Sequence, residues 1–533
     1  MYAARSKRTV GWLLALIVAL SHATPLAAQD PSAKKGLLSR LLGRKGQGSK
    51  VQGSEPEKGR VSSVKGPEPE IVLTAAAQEH AMPSPRGQSA PALTIPPGFG
   101  PQLSTLSPQP SSITDEEIAR FEDLAFANNP ALAQARHVVD AAVGRLIQAG
   151  LYPNPNLGYV ASEVGNDGRA GQQGFVIAQE IVRGGKLLLS QAVASYARDQ
   201  AEAQAAAQVW RLRNTVRLLY FEILAVQQTK RLSDELVALA EQGVSIAQQR
   251  QKAGEGTLTE TLQAQIELDQ VQILAASSKN NLRASWKRLA AVVGQPEMEP
   301  EMLRGNLDAA REERDEAQTL ARMSGQSPEV RVAEAGIRRA DAAVSRARAE
   351  PIPNVTLEAG TQYDYGSNTQ IASVGISLPL PIWNRNEGNI LAAEAELRRS
   401  QREVDRVKLS LADRFAAAYA RYRNAQQQVD RYGRRLPDDE VKRILSLAGD
   451  ERQKALDKYS QILPRAQIAL ALATEGWRRG EFGYLQVLTA QRTLAQAGLG
   501  SVRAQAELRQ NAVVLDGYLL TDGLDAPSGG GTE

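Results

Sequence analysis

Two kinds of hydrophobic patterning alternate along the chain, and the alternation occurs twice. Helical periodicity runs from about 115 to 127, pauses at Asn128-Asn129-Pro130 and resumes from 131 to 150, where Pro153 and Pro155 end it. Thr114 or Ser112 is expected to cap the first of these helices, ahead of Asp115, Glu116 and Glu117. Two alternating segments follow, at about 155–164 and 172–182, separated by the polar turn cluster Gly165-Asn166-Asp167-Gly168-Arg169. From Lys186 to about Gln251 there is no proline and only Gly243 interrupts, which predicts one nearly continuous helix. Its length would be roughly 95 Å at the rise of an α-helix, too long for a compact domain and suited to a tube or coiled coil. A turn at Ala253–Leu258 returns the chain into a helix over about 259–293, ended by Gly294.

The second half repeats the plan, with helices at about 312–323 and 328–350, strands at about 354–364 and 370–380, and a long helix from about 389. Pro153-Asn154-Pro155-Asn156-Leu157 answers Pro351-Ile352-Pro353-Asn354-Val355, and Gly184-Gly185 answers Gly388. Gly254-Glu255 with Leu262-Gln263-Ala264-Gln265 answers Gly480-Glu481 with Leu488-Thr489-Ala490-Gln491 at identical spacing. Such self-similarity marks a tandem repeat, here over 113–295 and 312–522 with a connector at 296–311. The second long helix carries about two dozen extra residues, with Gly433, Pro437-Asp438-Asp439 and Gly449, read as a helical insertion at about 433–458.

In the third strand Val355, Leu357, Ala359 and Tyr363 share one face and Thr356, Glu358, Gln362 and Asp364 the other. In the fourth, Ala372, Val374, Ile376, Leu378 and Leu380 oppose Ser373, Gly375 and Ser377. The first pair is less clean, since Val160 and Val176 fall on its polar side and Gln179 on its apolar one. This alternation fits transmembrane barrel strands and equally a soluble antiparallel sheet. If the strands span a membrane, four cannot close a barrel and lipid tolerates no open edge, so several chains must pool them. Three chains give twelve strands, with the long helices continuing as a tube.

Outside the repeats, residues 1–28 read as a signal peptide, with Arg5, Lys7 and Arg8 before the apolar run Val10 to Leu20 and cleavage after Ala23 or Ala28. Residues 29–112 are a Pro/Gly/Ser/Lys-rich tether, and 523–533 a disordered tail. Within the tether, Leu37, Leu38, Leu41 and Leu42 among basic residues admit a membrane-surface helix or a basic disordered patch. A net charge of +4 over 533 residues gives no case for nucleic acid. There is no cysteine, which removes disulfides, thiolate metal sites and thiol nucleophiles.

The chain resembles the TolC-like outer-membrane efflux proteins, in particular the heavy-metal branch of CzcC, CnrC and CusC. The resembling residues are Tyr152-Pro153-Asn154-Pro155-Asn156-Leu157-Gly158 and Arg183-Gly184-Gly185-Lys186 in the first half. In the second they are Ser377 to Asn389 and Gly480-Glu481 through Leu494. The resemblance implies a mainly α fold with a small β part, in which a homotrimer pools a twelve-stranded barrel in outer-membrane lipid above a helical periplasmic barrel. It implies docking onto a periplasmic adaptor and an inner-membrane pump of the resistance–nodulation–division class. The turns Ala253–Glu260 and Arg479–Gln486 would form the tip that the adaptor grips and that opens, with Gly254, Glu255, Glu260, Gly480, Glu481, Gln486 and Thr489 as its residues. Relatives carry acidic residues at the positions of Gln486 and Thr489; here both are neutral, which puts an acidic ring in doubt. Many relatives are lipoproteins, and without a cysteine no lipid anchor is expected.

No enzyme is expected, and no cofactor or metal. His80 and His137 lie apart, and Gly184-Gly185-Lys186 lacks the rest of a phosphate loop. The expected function is a passive outer-membrane duct for metal ions or small toxic compounds. The alternatives are a duct for type I protein secretion, or a periplasmic coiled-coil adaptor, for which the expected lipoyl-like domain is missing.

Overall fold

The computed structural model describes residues 113–165, 170–308, 313–447, 449–481 and 483–525, all within one contact unit, Thr105–Glu533. The expected signal, tether, basic leucine patch and tail beyond 525 lie outside them. Two helices lead in, α1 (Ile113–Asn128) and α2 (Pro130–Ala149), followed by β1 (Asn156–Ser162) and β2 (Gln172–Ile181). Then come α3 (Lys186–Lys252) and α4 (Leu258–Val293). The second half repeats this with α5 (Glu316–Gln326), α6 (Pro328–Ala349), β3 (Val355–Asp364), β4 (Thr369–Ser377) and α7 (Glu387–Tyr432). Two short helices, α8 (Asp438–Ser446) and α9 (Gly449–Asp457), precede α10 (Ile462–Arg478) and α11 (Tyr484–Asp516). The interruption of the second long helix thus holds two short helices.

The repeat is visible in the caps. Asn129 caps α2 by accepting from the Ala131 and Leu132 amides, with Pro130 as the first helical residue. Ser327 and Pro328 occupy the same two places ahead of α6. Among the helix and strand ends that differ from the sequence expectation, three have a local cause. α1 already includes Ile113, so Thr114 lies inside the helix and cannot cap it. α5 starts four residues later than expected, because Asp315 takes the cap position and accepts from the Gln318 amide at 2.7 Å. β4 stops at Ser377, short of Leu380, because Pro379 has no amide to continue the ladder.

The four strands form one antiparallel sheet in sequence order, so the central β2–β3 pair joins the two halves and β1 and β4 are edges. The register places Leu157, Ile177, Ala359 and Val374 in one cross-strand row and Tyr159 and Phe175 in the next, on one face. Leu157, Phe175, Val374 and Ile376 are exposed there, at 59–76% of full accessibility. Gln179, a polar residue on that face, donates to the backbone oxygens of Pro153 and Glu180, closing off strand-end carbonyls.

α3 has 67 residues and is about 100 Å long at the α-helical rise. It packs against α2, α4, α6 and α11, and α7 packs against α6 and α11. The core is accordingly strung along the helices in separate clusters. Phe121 meets Trp286 edge to face at 6.1 Å and Tyr220 at a tilt at 6.3 Å, near one end of α4. Leu236, Ala240 and Val271 fill the middle of the α3–α4 hairpin. Met323, Val330, Leu411, Phe415, Tyr422 and Leu515 pack α5, α6, α7 and α11 together. Among the described residues, no helix is long and apolar enough to cross a membrane.

Candidate functional site

The two Gly-Glu turns have the same backbone. Gly254 and Gly480 both sit at φ +77°. At the first, the Gly254 amide donates to Gln251 and the Glu255 amide to Arg250; at the second, Gly480 donates to Trp477 and Glu481 to Gly476. These paired bonds satisfy the last carbonyls of each long helix in the Schellman pattern, which requires a left-handed residue and so favours glycine. The exits differ. Thr257 and Glu260 form a capping box, with Thr257 Oγ1 accepting from the Glu260 amide at 3.2 Å and Glu260 Oε2 accepting from the Thr257 amide at 3.3 Å. α11 instead starts behind Gly483, with no side-chain cap. Glu260 is therefore a capping group, whereas Glu255 and Glu481 are exposed and no ion pair reaches them among the described residues. Gln486 and Thr489 are exposed as well, and the Thr489 hydroxyl donates back to the Leu485 oxygen.

The turns belong to one packed end. Ala247 and Ala264 of the first hairpin meet Ala473, Trp477, Tyr484, Val487 and Leu488 of the second. Trp477 and Tyr484 pack at 5.2 Å between centroids, and the Arg250 guanidinium stacks 5.4 Å over the Trp477 ring. Gly243 leaves room for the Tyr484 hydroxyl, since a Cβ there would stand 3.0 Å from it. Burial, with Glu267 adding to it, pushes the Tyr484 phenol above its ordinary value, against the opposing pull of Arg492. Further along, buried Glu267 accepts from Arg492 at 2.8 Å, an ion pair from α4 to α11. Arg250 Nε and Trp477 Nε1 are buried without an acceptor among the described residues. Each such donor costs about 1–3 kcal/mol, so this contact holds back part of its own stability. The sequence motifs pointed at the turns and missed Arg250, Trp477, Tyr484, Glu267 and Arg492. The one available signal was a tryptophan and a tyrosine flanking the second turn.

Outside this packing, Leu258, Leu262 and Ile266 form an exposed stripe at successive turns of α4, and Leu485 is exposed on α11. This end offers two carboxylates without an ion pair among the described residues, a row of apolar side chains and a hairpin-to-hairpin contact, which suits protein contact. His137 stands alone on α2 beside Asp140, at 3.3 Å.

At the other end of the long helices are the strand-to-helix junctions. Gly184 and Gly185 take φ +70° and +68° between β2 and α3. In the second half it is Asn386, at φ +62°, that caps α7, and Gly388 lies inside its first turn. The repeat keeps the left-handed residue and moves it two places ahead of the conspicuous glycine. Asn386 holds the position by donating from Nδ2 to the Ala347 oxygen at 2.9 Å. Lys186, which follows the glycine pair, is buried and reaches Glu350 at 3.6 Å, a structural role.

Residues 123–295 and 319–448 match the family of outer membrane efflux proteins. The chain is 27% identical over 396 residues to the cobalt-zinc-cadmium resistance protein CzcC of Cupriavidus metallidurans, covering 74% of this chain and 88% of that one. Its fold is shared with the outer membrane protein VceC of Vibrio cholerae, with a TM-score of 0.58 and 18% identity over 77% of this chain and 97% of that one. CusC, described as forming a transmembrane channel, gives a TM-score of 0.57 and 18% identity over 76% and 92% of the two chains.

Proposed function

We propose, for a chain that belongs to the outer membrane efflux protein family, that it is the outer-membrane duct of a tripartite pump exporting divalent metal ions or their complexes. The observation that carries this reading is the four-stranded sheet with two open edges and an apolar face. A sheet of that kind is stable in lipid only when copies complete it, and three copies give a closed barrel. The long helices then continue as a tube on the periplasmic side. Export through a cleaved signal peptide fits the N-terminal sequence, and the repeats run over 113–295 and 312–522.

The Gly254 and Gly480 turns form the periplasmic tip in this reading. The apolar stripe of α4 with Glu255 and Glu481 receives a periplasmic adaptor, and parting of the Arg250–Trp477 contact opens the tube. Energy comes from an inner-membrane pump of the resistance–nodulation–division class, and the duct itself carries out no catalysis. Metal as cargo is supported by the similarity to CzcC, a cobalt-zinc-cadmium resistance protein. Deleting the gene is expected to raise sensitivity to cobalt, zinc or cadmium and the amount of that metal held by the cells. Unchanged sensitivity and content for all three would overturn the metal reading.

A further inference from the structure

α6 lies between α3 and α7, and the face these helices share holds a groove of about 950 Å³. Its floor is made of small α6 residues, Ala333, Gly336, Ala340 and Ala343, which leaves the flanking heads to gather above it. Five arginines and three glutamates line the groove. Each glutamate is already used: Glu329 by Arg414, Glu403 by Arg406 at 2.6 Å, and Glu396 by Arg399 at 3.3 Å. Arg211 of α3 and Arg339 of α6 have no carboxylate partner among the described residues. Arg339 makes only a long 3.4 Å donation to Gln200 Oε1. The groove therefore carries an excess of two guanidinium charges per chain, one on α3 and one on α6.

We propose that this groove is a binding station for small multivalent oxygen anions, such as polycarboxylates, phosphate-like oxyanions or anionic complexes of a metal. The inference rests on the channel reading for its position. In that reading the face shared by α3, α6 and α7 turns toward the lumen once copies close into a tube. A guanidinium fork matches the geometry of a carboxylate or phosphate, and two unpaired forks facing a confined space favour a ligand with at least two charges. A bare divalent cation meets a like-charged wall there, so cargo that passes it easily is anionic or complexed.

The test is single-channel recording of the full-length protein in planar bilayers, with citrate as the probe. Citrate is expected to reduce the current of the wild type, and R211Q/R339Q to raise the half-blocking concentration about tenfold. R503Q, an exposed arginine of α11 outside the groove, should leave it unchanged. If the double variant does not assemble, R339Q alone carries the test, with a shift of about threefold. Equal block of wild type and variant, or no block of a conducting wild type, would overturn the station while leaving the channel intact. A wild type that forms no channel would overturn the channel reading and this position with it. Calorimetric titration of the detergent-extracted protein with citrate then decides whether the groove binds the anion at all; absence of heat would overturn the binding itself.

Discussion

Gly254 and Gly480 share one left-handed conformation and have open space where a Cβ would go, so alanine at either meets only backbone strain. G254A and G480A are each expected to lower stability by about 1 kcal/mol, and by equal amounts, in thermal unfolding of the detergent-extracted protein. Unequal losses would contradict the equivalence of the two turns. At the junction, G388A should be neutral or slightly stabilising and N386A destabilising, because the left-handed residue is Asn386. Glycine pairs were legible in the sequence because their spacing repeats. Asn386 was not, since the hydrogen bond that holds it reaches Ala347, 39 residues away, which no spacing reveals. Charge at the same end gives a pH prediction. Burial pushes the Glu350 carboxyl up, but Arg346 and Lys186 outweigh it and hold it below its ordinary value of 4.5. A carboxyl depressed in the folded state stabilises above its unfolded value and loses that contribution as pH falls through the folded one. E350Q should therefore reduce thermal stability at pH 7, with the difference from wild type closing as pH drops below 4.5.

At the scale of elements, alternation and proline placement made the strands readable, and the register puts the expected apolar residues in one cross-strand face. Leu378 and Leu380 misled because they continue the alternation past Ser377, where Pro379 ends the ladder without disturbing the pattern. The tip was legible only in part. Its turns follow from glycine and capping residues, whereas the Arg250–Trp477–Tyr484 contact joins residues more than two hundred positions apart, beyond the reach of local pattern. That contact and the exposed stripe can be separated by mutation. Serine at Leu258, Leu262 and Ile266 leaves the hairpin core untouched and should abolish cross-linking to the adaptor, with assembly in the membrane unchanged. Retained cross-linking would place the adaptor elsewhere. E267A, which removes the carboxylate partner of the half-exposed Arg492 across the α4–α11 contact, should instead lower stability by about 1 kcal/mol and spare the stripe.

For the molecule as a whole, the sheet and the long helices demand each other. The α3–α4 and α10–α11 hairpins bury their cores within one chain, yet the sheet they lead from has edges at β1 and β4 that one chain cannot satisfy. Strands pooled between chains would satisfy both edges, and the absence of cysteine makes the pooling directly accessible. Cysteines introduced one at a time along β4, each paired with one in β1, should yield a covalent ladder ending at three chains in isolated outer membranes. The most direct measurement is the native mass of the protein extracted by detergent from those membranes. A particle of three chains, found in the outer-membrane fraction, is expected. A monomer or dimer recovered from the soluble periplasm would contradict it, since an unpooled sheet of this kind could not line a channel.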